Sequence, residues 1–167
     1  ERVRMLLLEQ FIKTINTTAL DPRHYTVFGA AFYSLRLLNE VTVTNLFRGA
    51  LSRIALRTLI EVFITLKYLT KQGDADLWLK YCDYGDAQAK LVSLKLDESG
   101  DVPSFINEQR VKELANQNKW EEFITIELGH WDKSDVRKLS IDADCKEIYD
   151  RYYPWTSGYV HGNLAAI

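Results

Sequence analysis

Cysteine is scarce: Cys82 and Cys145 are the only two in 167 residues, and they lie far apart with no CxxC and no Cys/His ligand spacing. That excludes a disulfide scaffold and a paired-cysteine zinc site. Both read as small packed hydrophobes with free thiols, as expected in a reducing cytoplasm. Proline (3) and glycine (8) are few, so long elements run uninterrupted and no glycine-rich phosphate loop is present. An HExxH pair and a nucleophile elbow are absent too. Neither sign of charge dominates: a net charge of −2 excludes a uniformly basic nucleic-acid platform, while leaving room for a local basic patch. No apolar run reaches the ~18–20 residues of a membrane span. MLLLEQF near the start is too short for a secretory signal and is followed by charge. The chain opens on Glu1 rather than Met, the expectation being a fragment of a longer chain.

What is present is 47 % apolar residues, recurring at helical rather than alternating spacing. The expected fold is all-α, one domain over residues 1–167, a bundle of six or seven helices. Its centre is the stretch from Arg48 to Leu69, where Leu51, Ile54, Ala55, Leu59, Val62, Phe63, Leu66 and Leu69 recur at threes and fours. Ile60, Ile64 and Tyr68 leave little polar face, so this helix is expected to be packed on most sides. Thr44 or Asn45 is its expected cap, and Gln72-Gly73 its end.

Before it, a first helix is expected to about Asn16, with Val3, Leu6, Leu7, Phe11 and Ile15 on one face. Asp21-Pro22 starts a second, ending near Asn39 or Glu40, with Val27, Ala30, Ala31, Tyr33, Leu35 and Leu38 inward. Val41 to Val43 would be the connection. Asp74 caps a fourth helix to about Leu96, DESGDVP is a loop, and Ser104 to about Asn118 returns to helix, which Trp120 to Leu128 would prolong. Ser134 caps a short turn through Leu139. In the last segment Pro154 predicts a kink or a fresh start. His24, just after a cap, is expected at the surface.

Three charges stand on the apolar central helix: Arg53, Arg57 and Glu61, four apart and so on one stripe. Burying a charge is costly unless it is paired and hydrogen-bonded. Arg57 and Glu61 read either as an exposed i,i+4 pair or as a buried pair with a third partner. The second is preferred, because Arg before Glu is the weaker order for a surface pair. Arg53, one turn earlier, reads as solvated. In the last segment Tyr149, Tyr153, Ser157 and His161 also stand four apart, ahead of His161-Gly162-Asn163, a helix-end pattern. His161 has two readings. It caps its own helix and donates to Glu61, or it moves a proton beside a phosphate held by Arg57. Trp131 in the turn His130-Trp131 either anchors that turn or stacks a base.

The order of these pieces resembles a known family. Arg57 and Glu61 in LRTLIEVFITLKYL, Trp131 in WDKSDVRKL, and Ser157, His161 and Gly162 in YDRYYPWTSGYVHGN are similar to a bacterial helical family of unknown function (DUF5677-like). That family is itself similar to the HEPN superfamily of helical bundles. The resemblance implies a HEPN-like fold, often dimeric, in a cytoplasmic defence or toxin–antitoxin setting. It implies either a metal-independent endoribonuclease or a non-catalytic module for a nucleotide or a partner protein. In the first case Arg57, Glu61 and His161 are catalytic, and Arg53, Tyr153, Ser157, Asn163 and Trp131 are binding residues. RNA, a nucleotide, a second copy or a partner protein are the implied partners, with no cofactor, no metal and no membrane. The superfamily's ribonucleases carry an arginine a few residues before a late-helix histidine. Here Arg151 lies too far before His161, so Arg57 would take that role from the central helix.

Overall fold

A computed structural model describes residues 1–15, 21–45, 49–116, 131–132 and 134–160. Among the described residues the chain is all-helical, with seven helices and no strand. They gather into two compact units. One comprises described residues of Glu1–Trp78 and Ser134–Ile167, the other those of Leu79–Lys133.

The first unit is built on α3 (Ala50–Gln72). Ile64 and Leu69 are completely buried on it, with Ala55 and Ile60 nearly so. Three helices pack against α3: α2 (Pro22–Val43), α6 (Val136–Asp142) and α7 (Lys146–Val160). Leu139, Ala143, Cys145, Tyr153 and Thr156 close the core from the α6–α7 side. Burial also pushes the Cys145 thiol above its ordinary range, so it stays protonated and packs as an apolar group.

Local chemistry explains the helix ends. Asp21 accepts from the amides of Arg23 and His24, and Pro22 occupies the first turn of α2. The connection expected at Val41 to Val43 is instead the last turn of α2. Its hydroxyls serve the last carbonyls of the helix: Thr42 donates to the Asn39 carbonyl at 2.9 Å and Thr44 to that of Glu40 at 2.6 Å. Thr44 therefore closes α2 rather than capping α3, and Asn45 turns the chain at a left-handed φ of 54°. Gly49 is the N-cap of α3, with no side chain to offer its amides. Gly73, at φ 64°, ends α3 as its sequence position predicts.

Asp135, not Ser134, caps α6 by accepting from the Lys138 amide at 2.8 Å. Pro154 neither kinks α7 apart nor restarts it; the helix continues through it. Pro154 and Asp150, whose carbonyl loses its amide donor, are both exposed, so water can serve that oxygen.

The N-terminal helix α1 (Arg2–Thr14) packs on α2 and buries no residue fully. Val3, Leu6 and Ile15, expected inward, are exposed, as are Val27, Tyr33 and Leu38 on α2. His24 is drawn in rather than left at the surface. Its ring lies 5.0 Å from that of Phe11 and 4.7 Å from that of Phe28, and it bonds the Thr14 hydroxyl at 2.9 Å.

In the second unit, α4 (Ala75–Ser99) continues from the first unit, started by Asp74 accepting from the Asp76 amide at 2.9 Å. It runs past Leu96 into the expected loop and ends at Gly100, φ 67°. The next helix, α5 (Glu108–Asn116), begins four residues later than Ser104, because Asn107 caps it through the Arg110 amide at 2.9 Å. The stretch from Trp120 to Leu128 lies outside the described residues.

The core assignment is testable on one helix. Ile64→Ala should cost about 2–5 kcal/mol, whereas truncating its exposed neighbour, Phe63→Ala, should cost clearly less. Paired denaturant titrations of the two variants read the difference.

Candidate functional site

The charged stripe of α3 faces α7, and the two helices run antiparallel. Their contacts pair in reversed order: Lys71 with Asp144 just before α7, Arg57 and Glu61 with Tyr153, and Arg53 with Trp155 and Tyr159.

In the middle of this seam three side chains close on one another. Arg57 Nε donates to Glu61 Oε1 at 3.1 Å. Arg57 Nη2 donates to the Tyr153 hydroxyl at 2.7 Å, and that hydroxyl donates onward to the same Glu61 Oε1 at 2.7 Å. The third partner of the buried pair is thus a phenol that accepts from the cation and donates to the anion. Arg57 also lies over the Tyr153 ring, its guanidinium carbon 4.3 Å from the centroid. Tyr149 stacks on Tyr153 at 4.7 Å and holds that ring from its own helix.

The network is largely shut off from water. Tyr153 is 8 % exposed, and the Arg57 side chain 14 %, against 38 % for Glu61. Arg57 Nη1 is buried and has no hydrogen-bond partner among the described residues. Burial, then the hydrogen bond to Glu61 and its negative charge, push the Tyr153 hydroxyl far above the ordinary tyrosine range; Arg57 opposes this only in part. The phenol is therefore a fixed proton carrier, unable to act as a base near neutral pH.

One turn earlier Arg53 is placed differently. Its guanidinium carbon lies 4.5 Å from the Tyr159 ring centroid and 5.2 Å from that of Trp155. It has no ion pair among the described residues, and it is half-buried against these rings rather than solvated. Trp155 and Tyr159 stand four apart on α7, a spacing that puts both on one face. That spacing was the available signal for them.

The remaining candidates divide. Ser157 is half-buried on α7. His161 and Asn163 lie outside the described residues. Trp131 belongs to the second unit, where its ring meets Tyr81 edge-on at 5.1 Å and 88°; this is the anchoring geometry.

An all-helical bundle with a buried Arg–Glu–Tyr network at its centre is the class that the fold and seam define. Residues 35–167 match the model of a family of unknown function (DUF5677), and the chain belongs to that family. The match covers α3, α6 and α7 entire. Comparison with curated proteins gives no match, and comparison with solved structures gives none.

Two outcomes follow from the phenol. Tyr153→Phe should cost about 1–3 kcal/mol, since it strips a hydrogen bond from both a buried cation and its carboxylate. The raised Tyr153 pKa also sets a sign. Its stabilising contribution is complete below the unfolded tyrosine value of about 10 and is lost as pH rises toward the higher native value. The stability gap between parent and Tyr153→Phe, measured by urea melts, should therefore narrow from about pH 9 to about pH 11.

Proposed function

We propose that the protein is a HEPN-like, non-catalytic helical module that binds a nucleotide or a partner protein, with the Arg57–Glu61–Tyr153 network serving as the lock of its α3–α7 seam. The observation carrying this reading is the seclusion of the network. Arg57 spends two of its three nitrogens on Glu61 and Tyr153, and the third is out of solvent's reach. A phosphate could take that nitrogen only if the seam opened. Glu61 already balances the charge, so Arg57 has little left to offer an anion.

A second reading has its own support. Arg57 is held rigid with one donor uncommitted, which is how an arginine is prepared for a phosphate. The protein would then be a metal-independent endoribonuclease of a bacterial defence or toxin system. His161 would take the proton of an RNA 2′-hydroxyl as its oxygen attacks phosphorus. The bond to the 5′-oxygen breaks, that oxygen leaves with a proton, and a 2′,3′-cyclic phosphate remains. Arg57 would stabilise the charge building on the phosphoryl oxygens, with Glu61 and Tyr153 positioning it.

One experiment separates the two. Mixed RNA is incubated with the protein in EDTA, beside Arg57→Ala and His161→Ala. The lock predicts no cleavage by the parent, and Arg57→Ala less stable by about 2–3 kcal/mol. Cleavage leaving cyclic phosphate ends, lost in both variants while each remains folded, would overturn the lock in favour of the ribonuclease.

A further inference from the structure

The seam's two arginines differ in what answers their charge. Arg57 is balanced by Glu61 at 3.1 Å. Arg53 has aromatic rings around it and no carboxylate at ion-pairing distance among the described residues.

Its position sharpens the imbalance. Arg53 is the fourth residue of α3, and the start of a helix carries partial positive charge. Among the described residues the usual remedies are missing there. The N-cap is Gly49, which has no side chain to accept from the first amides, and the first turn holds no acidic residue. A cation at an uncapped helix N-terminus is locally unfavourable, and an external anion would neutralise both at once.

The neighbouring rings say what kind of anion. Trp155 is 55 % exposed, which leaves part of its indole surface open to a ligand. It lies edge-to-face with Tyr159, centroids 6.0 Å apart at 72°, and both hold the Arg53 guanidinium. A planar cation beside an open indole suits a ligand that joins a phosphate to a flat ring. The phosphate takes the guanidinium, and the ring stacks on the tryptophan.

We propose that Arg53, Trp155 and Tyr159, with the uncapped start of α3, form a binding site for a nucleoside phosphate, either free or as a unit of an RNA strand. This rests on the nucleotide-binding reading above and gives it a place. It also separates the site from the lock: the hydrogen bonds of the triangle run among Arg57, Glu61 and Tyr153 without Arg53 or Trp155.

The test is titration calorimetry with four probes: adenosine 5′-monophosphate, adenosine, inorganic phosphate and a hexauridylate RNA. The proteins are the parent, Arg53→Gln and Trp155→Leu, each checked by thermal melting for parent-like folding. The parent should bind the monophosphate or the RNA more tightly than adenosine or phosphate alone. Arg53→Gln should weaken that binding at least about tenfold, and Trp155→Leu at least about fivefold. A tighter complex with RNA than with the monophosphate identifies a strand as the ligand; equal affinity identifies the free nucleotide. Binding that both variants leave unchanged would overturn the site while sparing the nucleotide-binding reading. No heat with any probe would overturn both. RNA cleaved during titration would overturn the non-catalytic lock alone, since the variants would still report on the site.

Discussion

The structure depends on how one guanidinium is kept inside an apolar seam. Removing a charge from water is expensive, and an ion pair alone often fails to recover the loss. At Arg57 the deficit is reduced by a third group that serves both ions. The Tyr153 hydroxyl accepts from Nη2 and donates to Glu61, each at 2.7 Å, so with the Arg57–Glu61 bond three hydrogen bonds close the triangle. Its ring adds a cation–π contact 4.3 Å from the same guanidinium. A phenol suits this place because it holds its proton across the physiological range, and here burial and Glu61 hold it more firmly still. The network also specifies register. Sliding α7 by one residue would turn Tyr153 away from Arg57 by about 100° and leave the ion pair without the hydroxyl that serves both ions.

From that fixed point the electrostatics of the seam change along its length. At the end of α3, Lys71 bonds Asp144 at 2.5 Å, an exposed link between the helix and the entry to α7. In the middle a largely buried arginine is balanced by a partly exposed glutamate. At the start of α3 the cation is held by rings and the helix end is uncapped. Antiparallel packing produces this order, since it brings the late part of α7, with Trp155 and Tyr159, to the positive end of α3. Stability is concentrated where the charges cancel. Unspent binding capacity is left where they do not.

Much of this was legible in the residues alone, and the failures have physical causes. Apolar spacing at threes and fours located α3 and predicted its burial, and Asp21-Pro22 and Gly73 marked helix ends by chemistry that is local. The boundary between α2 and α3 differs from the expected one because Val41 to Val43 looks extended by propensity, while the structure continues α2 through it, with two threonine hydroxyls serving the helix-end carbonyls. The inward faces of α1 and α2 were misjudged for another reason. Periodicity shows that a helix has an apolar side but not that anything covers it, and Val3, Leu6 and Leu38 remain exposed. The need for a third partner to Arg57 and Glu61 followed from the cost of burial. Which residue of the last segment met them did not, because that depends on the stagger of two helices 92 residues apart in the chain.

The same limit explains why Arg53 and Arg57 look equivalent in sequence. They share a helix, a stripe and a spacing of four, and either could hold a phosphate. The helix packed against them decides which is free to. Opposite Arg57, α7 presents a hydroxyl that completes an ion pair; opposite Arg53 it presents two rings, which attract a cation without neutralising it. A guanidinium held this way keeps its full charge and its hydrogen-bonding edge while losing the freedom of its long side chain. Ordering that side chain in advance lowers the entropy lost when an anion arrives. One stripe of a single helix thus divides between a charge consumed in holding the fold and a charge left available to a ligand.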